Sequence, residues 1–174
     1  MRVISGKYRG KVLKSPKSDN IRPTGDKTKQ ALFTKLHFFV QDAVVVDLFC
    51  GSGALGIEAL SNGASFVYFI DKDRRSIALT KENLNGITGE YNVICADFML
   101  ALDRIDRKVD LILIDPPYAS GYYDKVLDVI KQKDILSENG IIVCEHPNNK
   151  QLNTSFEIFD QKRYGTVTLT YLKW

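Results

Sequence analysis

The sequence predicts an α/β protein: a mostly parallel, seven-stranded sheet with helices on both faces, closed by a C-terminal antiparallel hairpin. A small basic N-terminal β-hairpin and helix precede it. Three observations lead to this expectation. From residue 43 onward, short apolar runs rich in β-branched residues alternate with segments of helical spacing, the pattern of parallel strands joined by crossover helices. The first of these runs, Ala43 to Asp47, opens directly into a glycine-rich turn. The last two strand-like runs have no helix between them, so they close the sheet as a hairpin.

Taken in order, Arg2-Val3-Ile4 and Lys11-Val12-Leu13 read as the arms of a hairpin turned around Gly6 and Gly10. A loop with Pro16 and Pro23 follows. Thr24 is positioned to cap a helix from Asp26 to Phe39, whose Ala31, Leu32, Leu36 and Phe39 share apolar spacing. Strands are expected near 44–48, 66–70, 92–96, 109–114 and 140–145, with helices near 54–62, 73–86, 98–104 and 121–133. Phe156 to Phe159 and Thr166 to Leu172 form the final hairpin, turned at Tyr164-Gly165. The expected organisation is a basic extension over residues 1–40 and a main domain over 41–174.

Composition bounds the function. With 174 residues, 44% hydrophobic and 26% charged, the chain is expected to be one soluble domain, monomeric by default. No run approaches the ~20 apolar residues of a membrane span, so no membrane partner is expected. No leader is visible in Met1 to Gly6, and a cytoplasmic location is expected. The three cysteines, 50, 95 and 144, are widely spaced. They are expected to be small buried residues in a reducing compartment, with no metal pattern.

The net charge of +3 is unevenly distributed. Residues 1–35 hold ten basic and two acidic residues, which makes this segment +8 and the remainder −5. Such asymmetry is the footprint of a polyanionic partner. Arg2, Lys7, Arg9, Lys11, Arg22, Lys27 and Lys29 are the candidate RNA-facing residues.

Two motifs carry the chemistry. Gly51, Gly53 and Gly56 meet the G-x-G-x-x-G spacing between a strand and a helix, and Asp71 ends the next strand about 20 residues on, as that Rossmann-like fingerprint expects. Gly51 and Gly53 allow a tight turn and close approach to a ligand, and Gly56 allows close helix–strand packing. Asp71 is the candidate for ribose hydroxyls. Asp47, ahead of the glycines, would repel a pyrophosphate but suits a cationic or amino-bearing ligand, which favours S-adenosylmethionine over a dinucleotide. The second motif is Asp115-Pro116-Pro117-Tyr118, at the end of the run Val109 to Ile114. The prolines fix a rigid corner with uncommitted carbonyls. An acid, those carbonyls and an aromatic ring suit a flat exocyclic amine. Gly51, Asp71, Asp97 and Asp115 all follow strands, so they should share one rim, where open α/β sheets bind ligands.

With these motifs the chain resembles the bacterial 16S ribosomal RNA guanine-N2 methyltransferases, the RsmD-like family of class I S-adenosylmethionine-dependent enzymes. The resemblance runs over nearly the full length. It is carried by Arg2 to Gly6 with Arg9-Gly10, Arg22-Pro23-Thr24, Ala31-Leu32-Phe33, Asp47 to Gly56, Asp115 to Tyr118 and Tyr164-Gly165. It departs at Asp26 to Gln30, where the family is often arginine-rich, at Asp71 in place of Glu, and at Cys50 in place of Ala.

The resemblance implies methyl transfer to the N2 amine of a guanine, number 966, of 16S rRNA in the small subunit or an assembly intermediate. Asp115, Pro116, Pro117 and Tyr118 would then form the catalytic corner. Asp47, Phe49, Gly51, Ser52, Gly53, Asp71, Lys72, Asp97, Phe98, Asp115 and Thr24 would line the cofactor. Asp97 meets the adenine in this reading, with helix capping as the lesser alternative, and Phe98 is placed as well for the core as for the cofactor wall. An adenine-N6 methyltransferase, a non-catalytic RNA-binding module and a nicotinamide-linked oxidoreductase are the other readings. The last is disfavoured by Asp47.

Overall fold

The computed structural model describes residues 1–16, 25–117 and 121–174. Its elements run in the order α1 (Asp26–Lys35), α2 (His37–Val40), β1 (Val44–Leu48), α3 (Ala54–Ser61), β2 (Phe66–Asp71), α4 (Arg74–Asn83), β3 (Glu90–Cys95), α5 (Phe98–Leu102), β4 (Val109–Ile114), α6 (Tyr123–Lys133), β5 (Leu136–Pro147), β6 (Glu157–Tyr164) and β7 (Val167–Lys173). The seven strands form one sheet in the order β3-β2-β1-β4-β5-β7-β6. The first five are parallel, and β7 runs antiparallel to both of its neighbours. The strand order reverses direction at β1–β4. That places a ligand crevice at the carboxyl ends of those two strands.

Alternation along the strands gives each face of the sheet its own core. Val45, Leu111, Leu113, Ile141 and Val143 face α1, α2 and α3 together with the N-terminal arm. Val46, Leu48, Ile112, Ile114 and Ile142 face α5 and α6. Central strands buried on both sides need continuous apolar runs, and Val44-Val45-Val46 and Leu111 to Ile114 supply them. No described helix is long and apolar enough to cross a membrane.

Two expectations at the N-terminus change. The hairpin is reduced to a single antiparallel bridge, Arg2 with Val12, extended by Val3 N–H to the Lys11 carbonyl at 2.9 Å and Leu13 N–H to the Met1 carbonyl at 3.0 Å. The helix expected over 26–39 breaks at Leu36, whose ψ of 5° leaves the helical region. The break rotates the apolar face. Leu32, Phe33, Leu36 and Val40 are buried, whereas Phe39, expected in the core, is 51% exposed. The helix N-cap is Gly25, with no side-chain cap.

The arm is strapped to α3. Glu58, fully buried, accepts from Ile4 N–H at 3.0 Å, Ser5 N–H at 2.8 Å and the Ser5 hydroxyl at 2.9 Å. Lys29 reaches the same carboxylate at 3.1 Å and donates to the Arg2 carbonyl. At 1% exposure, Lys29 is a buried ion-pair partner and cannot face RNA. This corrects the sequence expectation for that residue. The sequence reads a lysine on a lysine-rich helix as solvated. It gives no sign that Glu58, on an otherwise apolar helix, waits for it.

Candidate active site

The rim is built from the turn between β1 and α3. Phe49 adopts φ +71°, Gly51 +55° and Gly53 +76°. The turn closes through Gly53 N–H to the Cys50 carbonyl at 2.7 Å. A left-handed phenylalanine is strained, and such strain gathers at ligand sites. A Cβ added at Gly51 would meet only the Phe49 carbonyl, at 4.0 Å, so the turn presents open space above its backbone. Behind the turn, a Cβ on Gly56 would lie 2.3 Å from Phe69 Cε1, which fixes the close packing of α3 on β2.

The carboxylates around this turn have distinct settings. Asp71 accepts from Gly51 N–H at 3.0 Å and from Asp73 N–H at 2.9 Å. Burial raises its pKa, partly offset by those N–H groups. It holds the turn while remaining partly exposed at the end of β2. Asp47, expected to line the ligand, is 2% exposed and accepts from Gly56 N–H at 2.8 Å. Burial pushes its carboxyl up to about 7, against the opposing pull of that N–H, and the nearby Asp71 charge adds to the rise. Asp47 therefore organises the turn from beneath. Asp97 caps α5 by accepting from Met99 N–H at 3.1 Å.

Two further side chains clamp the turn from α4 and were not singled out from the sequence. The Thr80 hydroxyl donates to the Gly51 carbonyl at 3.0 Å, and Asn83 donates to the Ser52 carbonyl at 2.9 Å. Their signal was present: polar residues at i and i+3 beside Ile77 and Leu84 lie on the helix's inward face. Cys50 is buried, and burial with the adjacent Asp47 charge pushes its thiol up, the opposite of an activated nucleophile. Of the other cysteines, Cys144 is buried and Cys95, against expectation, is exposed.

An aromatic wall stands beside the carboxylates. Phe49 lies parallel to Tyr122, centroids 6.2 Å apart, and Phe98 meets both rings at 5.9 and 5.8 Å. Lys72 Nζ sits 5.3 Å from the Tyr122 centroid. Phe98 is core and wall at once. Tyr122 is a site residue that sequence reading missed, because it lies past the corner motif with no spacing signal of its own.

The Asp-Pro-Pro corner follows β4. The pairing of Leu48 with Ile114 carries Asp115 alongside Phe49, so the corner and the glycine turn are neighbours at the switch point. Pro116 is buried and Pro117 exposed. Tyr118, Arg22 and Thr24 lie outside the described residues. His146 is buried, its Nε2 2.7 Å from the Thr170 hydroxyl, in a structural setting. Of the basic residues, Arg2, Lys7, Arg9 and Lys27 are exposed. Lys7 and Lys11 donate to the Thr88 hydroxyl at 2.9 Å and the Asn85 carbonyl at 2.6 Å, joining the arm to the loop after α4.

Known proteins share this arrangement. The family described as Conserved hypothetical protein 95 matches residues 1–173. The Bacillus subtilis protein YlbH is 36% identical over 98% of this chain and 95% of its own. The Escherichia coli ribosomal RNA small subunit methyltransferase D is 32% identical over 83% of this chain and 74% of its own. The solved structure of yhhF from Escherichia coli superposes with a TM-score of 0.88 at 29% identity, covering 99% of this chain and 97% of that one. The glycine turn, the corner after β4 and the strapped arm thus sit in a chain that belongs to the family of ribosomal RNA small subunit methyltransferase D.

Proposed function

We propose that this protein transfers a methyl group from S-adenosylmethionine to the exocyclic N2 amine of a guanine in 16S rRNA, within the small ribosomal subunit or an assembly intermediate. The observation that carries the reading is the meeting of the glycine turn, Asp71 and the Asp115-Pro116-Pro117 corner at one switch point. The donor set fits the cofactor. Open space over Gly51 admits a ligand chain against the backbone. Asp71 offers carboxylate oxygens to ribose hydroxyls, and the wall of Phe49, Phe98 and Tyr122 offers flat faces to a base. S-adenosylmethionine supplies an electrophilic methyl on its sulfonium, so neither a metal nor a covalent enzyme intermediate is required.

The chain's own work is positioning. A guanine amine is a poor nucleophile because its lone pair is delocalised into the ring. The Asp115 carboxylate and the Pro116 carbonyl accept its two hydrogens and turn the lone pair out of conjugation. Tyr118, by resemblance, holds the plane of the base. The target must leave its stack to reach this corner. The exposed basic residues of the arm hold the RNA backbone.

The test uses small subunits from a strain lacking N2-guanine methylation, incubated with methyl-labelled S-adenosylmethionine. Their RNA is digested to nucleosides. Labelled N2-methylguanosine is expected. Labelled N6-methyladenosine would overturn the substrate. Bound cofactor without label on subunits, free rRNA or DNA would overturn the enzymatic reading.

A further inference from the structure

A second carboxylate stands beside Asp115, and the mechanism above leaves it unused. In the register of β4 and β5, Ile114 lies opposite Cys144. One residue further on, Asp115, just past the end of β4, comes beside Glu145 of β5, the two strands' backbones lying about 4.8 Å apart. Leu113 and Val143 belong to the core on the α1–α3 face, so alternation turns Asp115 and Glu145 to that same face. Asp115 and Glu145 both line one small cavity, together with Leu32, Leu55, Val143 and Leu169. The cavity measures about 10 Å³, so a base stays outside it and presents only a donor on its edge. Glu145 is 5% exposed. Its backbone is fixed from the other face, where the Tyr123 hydroxyl donates to the Glu145 carbonyl at 2.9 Å. A rigid strand, not a loop, therefore presents this side chain.

We propose that Glu145 determines which purine is accepted, taking the N1–H of the guanine whose 2-amino group Asp115 holds. The inference rests on the guanine-N2 reading and deepens it. Ionised carboxylates only accept hydrogen bonds. Guanine presents N1–H and its 2-amino group as adjacent donors on one edge, which two neighbouring carboxylates match. Adenine presents its 6-amino group beside N1, an acceptor, and a carboxylate facing N1 then opposes one acceptor to another. The Asp-Pro-Pro corner reads the amine, and Glu145 reads the base that carries it. A site built for a hydrogen bond rejects the analogue lacking it far more strongly than an apolar pocket rejects a change of shape.

The test uses small subunits reconstituted with guanine or 2-aminopurine at the target position. 2-Aminopurine keeps the 2-amino group but has no N1–H. Wild-type enzyme should prefer guanine in kcat/KM by about tenfold or more. Glu145→Gln can present either an acceptor or a donor, so its preference should fall at least about fivefold, toward parity. The ratio is taken within each enzyme, so loss of folded protein cancels, and the intrinsic difference between the two bases is common to both enzymes. A Glu145→Gln enzyme that keeps the wild-type ratio overturns the inference and leaves the guanine-N2 reading standing. So does a wild type that shows no preference. A wild type that labels neither base overturns the guanine-N2 reading, and this inference with it.

Discussion

Asp115 and Asp47 show how one residue type takes two roles according to its surroundings. Asp115 stands at the exposed end of β4, where the following prolines cannot carry the chain into a helix. If it holds the amine as proposed, Asp115→Ala should lower turnover by about a hundred- to a thousandfold, the scale of losing a group that acts in the transition state. Cofactor affinity, read by calorimetry, should change by less than about threefold, within ~0.7 kcal/mol. A fully active variant would remove Asp115 from the mechanism. Asp47 lies under the turn, and its carboxyl titrates near 7 in the folded protein against roughly 4 in the unfolded chain. The folded state therefore binds this proton more tightly. The stabilisation is fully present below about pH 4 and is lost as pH rises through 7. Between pH 5 and pH 8 the loss amounts to about 2–3 kcal/mol. Asp47→Asn keeps an acceptor for Gly56 N–H and has no proton to lose. Urea denaturation of the cofactor-free proteins should therefore show wild type losing that much stability relative to Asp47→Asn between the two pH values. Parallel pH profiles would mean that Asp47 titrates normally.

Elements are held in place here by close backbone approach as much as by side chains. Gly6 shows this most sharply. A Cβ there would lie 1.9 Å from the Ser61 carbonyl oxygen, at the end of α3, and φ is already +74°. Gly6→Ala must lift the arm from α3. It carries the left-handed penalty of about 1–2 kcal/mol together with overpacking of about 1–3 kcal/mol. Gly10 has a similar φ of +88° but open space around its Cβ position, so Gly10→Ala carries only the first term. Denaturation midpoints should rank wild type, then Gly10→Ala, then Gly6→Ala. Equal effects would mean that the arm is not strapped. The sequence marked Gly6 only as a hairpin turn, because its reason for being glycine lies in a helix 55 residues away. The same limit explains the helix broken at Leu36. The apolar spacing of 31, 32, 36 and 39 was visible, but the pull that buries Leu36 and turns Phe39 out comes from the sheet. The central strands β1, β2 and β4 were legible because doubly buried strands leave uninterrupted apolar runs. Register was not, and register is what seats Glu145 beside Asp115.

Over the whole molecule, the N-terminal arm carries the excess of basic charge, while Asp47, Asp71 and Asp115 stand at the carboxyl ends of β1, β2 and β4. The glycine turn and the Asp-Pro-Pro corner were readable because each is a contiguous motif whose conformation is dictated locally. Thr80 and Asn83 left only the signal of an inward-facing polar pair on α4, and Tyr122, just ahead of α6, left none. The basic arm was legible as a total and misleading in detail, and Lys29 is the residue that separates the two. Lys29 is buried against Glu58, whereas Arg9 is exposed. The two should therefore fail in opposite ways. Lys29→Met strands a buried carboxylate, which costs about 3–5 kcal/mol. It should leave the salt dependence of small-subunit binding unchanged at temperatures where the variant is folded. Arg9→Ala should alter stability by less than about 0.5 kcal/mol. It should lower the slope of log affinity against log salt by about 0.7–0.9, the signature of one lost phosphate contact. Measuring both variants by chemical denaturation and by salt titration of subunit binding separates the strap from the proposed RNA-facing surface. If Lys29→Met shifted the salt slope and Arg9→Ala did not, the arm would meet RNA through a different face from the one exposed here.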